Sequence, residues 1–335
     1  MDLRKRDFLA AGLGAAAAMA APSVMAQPKP RRINKVIELL AQDQPVYYQP
    51  IDNPSYALGK QMGKTFLDMI NVEMEHGALD FTQLRAFMQG LVDGGPTPSG
   101  HRTPCVFVTF PALGYNEAMV RANSWMVQQA LACGVHGVDL CHARDPRAMA
   151  AFVAAARYPF VRPGQPNMEE GQRGSGSQIF AASVWGVSQN HYLHIADPWP
   201  LNPAGEILVG CKIEDKYAVA NVEKTMAVPG VAFSEWGPGD QFMSQLGLAA
   251  YPDDGRVVRP EFAGGGQGLT PLHPRMQVVH GRVLAAIKAN KRYGLWNAQP
   301  ENIVARIKEG WRIFPVTTPE TAKIGRAFTK RTMPI

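Results

Sequence analysis

The chain has 335 residues, 46% of them hydrophobic, with 34 basic against 28 acidic side chains and a formal net charge of +6. That length and apolar content can build a full-sized core, which excludes a disordered chain and suits one large barrel-type domain as readily as two ordinary ones. Basic residues are scattered apart from 29–32 and the tail at 323–331, and no aromatic residues interleave with them, so no nucleic-acid partner is expected. Attraction for small anionic molecules is the more economical use of the charge.

The chain opens with Arg4-Lys5-Arg6-Asp7-Phe8-Leu9, continues as a small and apolar run through Met19, and reaches Val24-Met25-Ala26 before Gln27. A basic start, a short apolar stretch and a small-residue cleavage site read as an export signal peptide over 1–26. An uncleaved anchor is the alternative, although the apolar stretch is too short to span a bilayer comfortably. Lys5-Arg6-Asp7-Phe8-Leu9 resembles a twin-arginine signal in which Lys replaces the first Arg of the pair; general secretion stays open beside it. The expected location is periplasmic or secreted, with no stable membrane span after cleavage. Removing 1–26 takes away Arg4, Lys5 and Arg6 together with Asp2 and Asp7, so the net charge goes from +6 to +5.

Past a Pro- and Arg-rich linker at 27–32, strand-like runs at 45–49, 69–74, 105–110, 135–140, 207–214, 231–236, 293–297 and 311–316 alternate with helix-like segments. The helical connectors are read at 55–67, 81–91, 116–132, 146–157, 216–227, 274–289 and 300–309. Eight β/α units predict one (β/α)8 TIM barrel over 33–335 rather than an open doubly wound sheet. Inserts at about 158–205 and 251–272 break the rhythm. The second follows the sixth strand on the expected active-site side, where it is placed to act as a lid or specificity loop. Its Gly264-Gly265-Gly266-Gln267-Gly268 run lacks the strand-loop-helix setting of a phosphate-binding motif. Cys105, Cys133, Cys141 and Cys211 lie in or beside strands without Cys-x-x-Cys spacing, and are read as small apolar packing residues.

Glu214 closes the fifth strand-like run, and Asp240 ends Gly237-Pro238-Gly239-Asp240 just past the sixth. Two carboxylates at the carboxyl ends of consecutive parallel strands can hold one hard cation and leave positions open for water and a chelating substrate. The glycines let backbone approach a ligand closely, and the turn can present amides to an anion. Lys212 shares the inward face of its strand with Glu214 by alternation.

Four landmarks occur in order: Glu73-Met74-Glu75-His76-Gly77, then Arg157-Tyr158-Pro159 with Arg173-Gly174-Ser175-Gly176, then Lys212-Ile213-Glu214, then Gly237-Pro238-Gly239-Asp240 with Leu246-Gly247. Over residues 33 to 318 this set resembles the HpcH/HpaI aldolase and citrate lyase-like superfamily, in its branch of class II metal-dependent 2-oxo acid aldolases. The resemblance implies that Glu214 and Asp240 bind a divalent cation, Mg, Mn or Co, and that amides around Gly239 and Asp240 receive a substrate carboxylate. It places Glu73 as the acid supporting metal-bound water and His76 as the base. Arg173 is a candidate substrate contact or a residue that orders its insert. The family's Arg after the third strand is replaced by Thr109, and the Asp that pairs with the base is replaced by Ala132. Lys212, where close relatives carry Gln, can neutralise anionic charge in place of that Arg, or can pair structurally with Glu214 or Glu73.

The implied activity is an aldolase-type carbon–carbon lyase that makes or breaks a small 2-oxo acid or hydroxy acid through a metal-stabilised enolate. A decarboxylase or hydrolase on the same scaffold is the alternative enzyme, and a noncatalytic periplasmic carboxylate-binding protein is the alternative class. A homo-oligomer is implied by the resemblance.

Overall fold

The computed structural model describes residues 32–333, except 161, 163, 248–273 and 317. The expected export signal, most of the linker and the insert at 251–272 therefore lie outside the described residues. From Arg32 onward the chain forms one compact unit.

Its centre is a closed parallel barrel of β1 (Val46–Ile51), β2 (Met69–Glu73), β3 (Cys105–Thr109), β4 (Gly137–Leu140), β5 (Ile207–Ile213), β6 (Phe233–Trp236), β7 (Tyr293–Leu295) and β8 (Trp311–Pro315). Each strand pairs with the next; β8 returns to β1, and β4 pairs with β5 across the first insert. This is the expected (β/α)8 barrel, with helices between the strands.

Local chemistry explains where the helices start. Asp80 accepts from the Gln83 amide at the head of Phe81–Gly94, and Asn116 accepts from the Met119 amide at the head of Glu117–Ala132. Asp145 caps Pro146–Ala155, with proline in its first turn. These side chains satisfy amides that the helix itself leaves free. The connector read at 216–227 is instead two helices, Lys216–Ala220 and Val222–Ala227. The break is at Asn221, whose side chain leaves the helical path and donates to the Arg144 carbonyl at 2.8 Å.

Two apolar cores result. The larger lies between the outer strand faces and the helices, and includes Ile70, Val72, Val106, Val108, Leu140, Val209 and Phe152. The second fills the lower barrel with Tyr48, Met69, Phe107, Leu208, Phe233 and Ile313. A helix at Lys35–Leu40 closes it, placing Val36, Ile37, Leu39 and Leu40 in the same cluster. Each such fully buried side chain contributes about 1.5–3 kcal/mol of transfer free energy. The first insert is not irregular: it contains helices Gln178–Trp185 and Gln189–Ile195, and Pro198–Trp199 adds a short strand to the start of β5. All four cysteines are free and buried.

Candidate active site

Parallel register carries the inward face around the upper barrel. Glu73 stands opposite Thr109, Thr109 opposite Asp139, and Asp139 opposite Gly210. Two residues beyond Gly210, Lys212 stands opposite Glu235. Since side chains alternate faces with period two, these residues share the barrel interior. A ring of acids therefore surrounds one lysine at the carboxyl end of the strands, where barrel enzymes carry their chemistry.

Lys212 is almost fully buried, and its Nζ lies 2.5 Å from Glu75 Oε2 and 4.0 Å from Glu214 Oε2. Burial opposes the ammonium, but Glu235, Cys141, Glu214 and Glu75 together hold its pKa well above the ordinary lysine value. Glu75 moves the other way. Burial would raise its carboxyl, yet the Lys212 ammonium keeps it below the usual range. Glu214 is 1% exposed and its carboxyl is pushed well up, first by burial and then by Glu75 and Glu235, with Lys212 opposing. Asp139 is fully buried, neither of its oxygens has a hydrogen-bond partner, and its carboxyl is raised first by burial and next by Glu235. Burial raises Glu235 as well, with Glu73, Glu75 and Asp240 adding to the effect.

On the loop after β4, His142 has φ +51°, a conformation unusual for a residue with a side chain. Its N–H donates to Glu214 Oε1 at 2.8 Å, and its Nδ1 lies 2.8 Å from Asp215 Oδ2. The Asp215 carboxyl is held down at about 2: burial opposes this, but hydrogen bonds from His142, the Ala218 amide and Arg144 prevail. An ionised carboxylate only accepts, so Nδ1 carries a proton toward Asp215 and Nε2 is the ring nitrogen placed to serve as a ligand. That Nε2 lies 3.8 Å from Glu214 Oε1. A carboxylate that orients a histidine in this way is the usual outer support of a metal ligand. One donor atom from each of Glu75, His142 and Glu214 lies within 4.8 Å of the others. The set fits a divalent cation on its own chemistry.

The residues singled out from sequence are distributed as follows. Glu214 and Lys212 are in the cluster. Glu73 ends β2 and accepts from the Glu75 amide at 2.7 Å. Thr109 is buried and donates to Asn71 Oδ1 at 3.0 Å, a neutral wall where the resemblance expects an arginine. His76 is at the rim with its side chain 76% exposed, 3.8 Å from Glu75 Oε2. Gly239 and Asp240 lie in the first turn of the helix Pro238–Leu246, which no side chain caps, so their amides face the end of the helix without a local acceptor. The Asp240 charge acts on Glu235, and Asp240 is not part of the Glu75, His142 and Glu214 group. Arg173 is buried in the first insert, where its guanidinium lies 4.3 Å over the Tyr158 ring and donates to the Tyr192 hydroxyl at 2.8 Å. Gly237 has a packing role: a Cβ there would lie 2.7 Å from Glu214 Cβ.

Glu75, His142, Asp139, Glu235 and Asp215 were not picked out from the sequence. Alternation from Glu73 was a usable signal for Glu75, and an acid inside the apolar run 231–236 was one for Glu235. His142 carried no local signal, because its place depends on a loop turning at β4 toward residues some 70 positions later.

No protein-family model and no curated protein matches the chain. Solved structures do. A HpcH/HpaI aldolase/citrate lyase family protein from Burkholderia cenocepacia superposes with TM-score 0.63 at 20% identity, over 89% of this chain and 97% of that one. The chain has the HpcH/HpaI aldolase and citrate lyase fold. A HpcH/HpaI aldolase from Desulfitobacterium hafniense superposes with TM-score 0.58 at 18% identity, over 89% and 96%. Citrate synthase SbnG does so with TM-score 0.57 at 15% identity, over the same shares. The resemblance carried by the four sequence landmarks is thus borne out in the fold, at an identity that marks a divergent chain.

Proposed function

We propose that the protein is a metal-dependent carbon–carbon lyase of the aldolase type, acting on a small 2-oxo acid or hydroxy acid. The observation that carries this reading is the buried Glu214 carboxylate, set among Glu75, His142 and Lys212 at the carboxyl end of the barrel. Glu214, with Glu75 and His142 beside it and Asp240 across the helix start, would hold the cation. Bound there, a divalent cation would supply Lewis-acid polarisation of a carbonyl and offset negative charge as the neighbouring carbon–carbon bond breaks. Mixed nitrogen and oxygen donors favour Mn or Co over Mg within the expected set.

The chain's own groups supply the rest. Amides of Gly239 and Asp240 receive the substrate carboxylate at the positive end of their helix. His76, at the rim beside Glu75, takes and returns the substrate hydroxyl proton, and Glu73 steadies the loop through the Glu75 amide. Asp139 and Glu235, with carboxyls raised by burial, line the chamber beside Lys212. Thr109 and Asn71 close one wall without charge.

The test is release of pyruvate or a similar 2-oxo acid from a panel of aldol compounds, with and without added Mn, Co or Mg. Activity that needs metal and disappears in Glu214→Gln and Asp240→Asn supports the reading; saturable binding without turnover would support a carboxylate-binding protein instead. Export by the twin-arginine-like signal, with 33–335 as a single catalytic domain and a homo-oligomeric state, belongs to the same proposal. A mature N-terminus near Gln27 on exported protein supports it, and intact Met1 contradicts cleavage. No helix among the described residues is long and apolar enough to cross a membrane.

A further inference from the structure

The lysine in the site stands where a cation would. Its ammonium engages Glu75 at 2.5 Å and approaches Glu214 at 4.0 Å, and these are two of the three residues whose donor atoms converge with His142. A divalent ion bound by those carboxylates and a buried ammonium within hydrogen-bond reach of the same oxygens repel each other and compete for the same lone pairs. An ammonium bonded to Glu75 therefore opposes metal binding to the same carboxylate. Lys212 also has somewhere to go. Glu235 is its register partner on the neighbouring strand, facing the same interior, and its carboxylate can receive the ammonium one step away from Glu75.

We propose that Glu75, His142 and Glu214 form a three-donor site for a divalent transition-metal cation, with Lys212 as its tethered competitor. Without metal, Lys212 holds the carboxylates; when metal binds, it transfers to Glu235. The inference rests on the proposed function only in taking the Glu214 site to bind a cation. It goes further in making Lys212 and Glu235 opposite determinants of affinity although neither is a ligand. His142 brings nitrogen to the set, and its tautomer is already set by Asp215.

The experiment is Mn titration of the full mature chain by calorimetry, with the Co absorption spectrum as a second readout of coordination. Lys212→Met is expected to tighten Mn binding about ten- to a hundredfold, the scale of one lost charged hydrogen bond. Glu235→Gln is expected to weaken Mn binding in the wild-type background, because the displaced ammonium loses its acceptor, and to change nothing in the Lys212→Met background. In that same background His142→Ala and Glu75→Gln are expected to weaken binding and alter the Co spectrum. Lys212→Gln, which keeps a donor, serves as the second variant if Lys212→Met does not fold. Mn binding no tighter without Lys212, or an equal effect of Glu235→Gln in both backgrounds, overturns the proposal. If affinity depends on Glu214 and Asp240 but not on Glu75, His142 or Lys212, this inference fails while the metal-dependent lyase stands. If metal binds as described and no aldol compound is cleaved, the lyase fails and the switch stands.

Discussion

Replacing Gly237 by alanine isolates one contact of the site. The residue has φ −81° and ψ 88°, so alanine meets no left-handed backbone strain there. The added Cβ would lie 2.7 Å from Glu214 Cβ and 2.8 Å from Glu214 Oε2. Carbon atoms pack at about 3.5–4.0 Å, so about 1 Å of overlap must be relieved. Glu214 cannot easily yield, being buried and held at 2.8 Å by the His142 N–H. Overpacking of this kind costs about 1–3 kcal/mol. With a melting entropy of about 0.6 kcal/mol per kelvin for a chain of this size, the melting temperature should fall by about 2–5 °C. Function should suffer more, because a displacement of about 1 Å in a catalytic carboxylate costs about a hundredfold in rate. Calorimetry and steady-state 2-oxo acid release are measured together, with Gly174→Ala as the control, since a Cβ there meets nothing within 4 Å. Full turnover and an unchanged melting temperature in Gly237→Ala would refute the argument that this glycine exists to seat Glu214.

Asp68→Asn should lower the melting temperature by about 5–8 °C, because breaking a buried charge cluster costs about 3–5 kcal/mol; Asp68 is fully buried and meets Lys35 at 3.0 Å, Arg331 at 2.6 Å and Arg326 at 3.3 Å, and a shift below 2 °C by calorimetry would count against it. His136 accepts from the Val106 N–H and burial depresses its pKa to about 3, so the unfolded chain takes up a proton first as pH falls and stability is lost between about pH 6.5 and 3. At pH 5 that loss is about 2 kcal/mol, and urea midpoints at pH 7.5 and pH 5 should converge for His136→Gln relative to wild type. Lys212→Gln should lower turnover more than it weakens substrate binding, with Arg at position 109 in that background recovering part of the rate; unchanged turnover at saturating substrate and metal would exclude a role for the ammonium in the transition state.

The barrel was legible because its signal is local and repeated. Each of the eight expected strands is present, with ends shifted by one or two residues: 135–140 becomes Gly137–Leu140, 231–236 becomes Phe233–Trp236 and 45–49 becomes Val46–Ile51. The helix Lys35–Leu40 was not read, since six residues carry little periodicity and its burial comes from closing the barrel floor. The first insert was legible only as a break in the rhythm; Trp185, Tyr192 and Tyr158 pack there and stabilise two short helices. The site divided the same way. Glu214 and Lys212 were visible because one strand places both on one face. Glu75 and His142 join them only through pairings between strands distant in sequence and through the turn at His142, whose dihedral no residue type announces.

Lys212, proposed to stand in for the arginine that the resemblance expects at position 109, would have two roles that compete. Bonded to Glu75, it neutralises the site and has no charge to spare for a substrate; Thr109, bonded to Asn71, offers none either. A site in that state holds several acids around one ammonium and repels the carboxylate it is proposed to take. A divalent cation changes the balance twice, by bringing two positive charges and by freeing a third from Glu75. Displaced toward Glu235, Lys212 would stay on the inward face of β5, within the same chamber. On this proposal metal binds before substrate. On the same proposal Thr109 can stand where the resemblance expects an arginine, because Lys212 supplies positive charge to the same chamber.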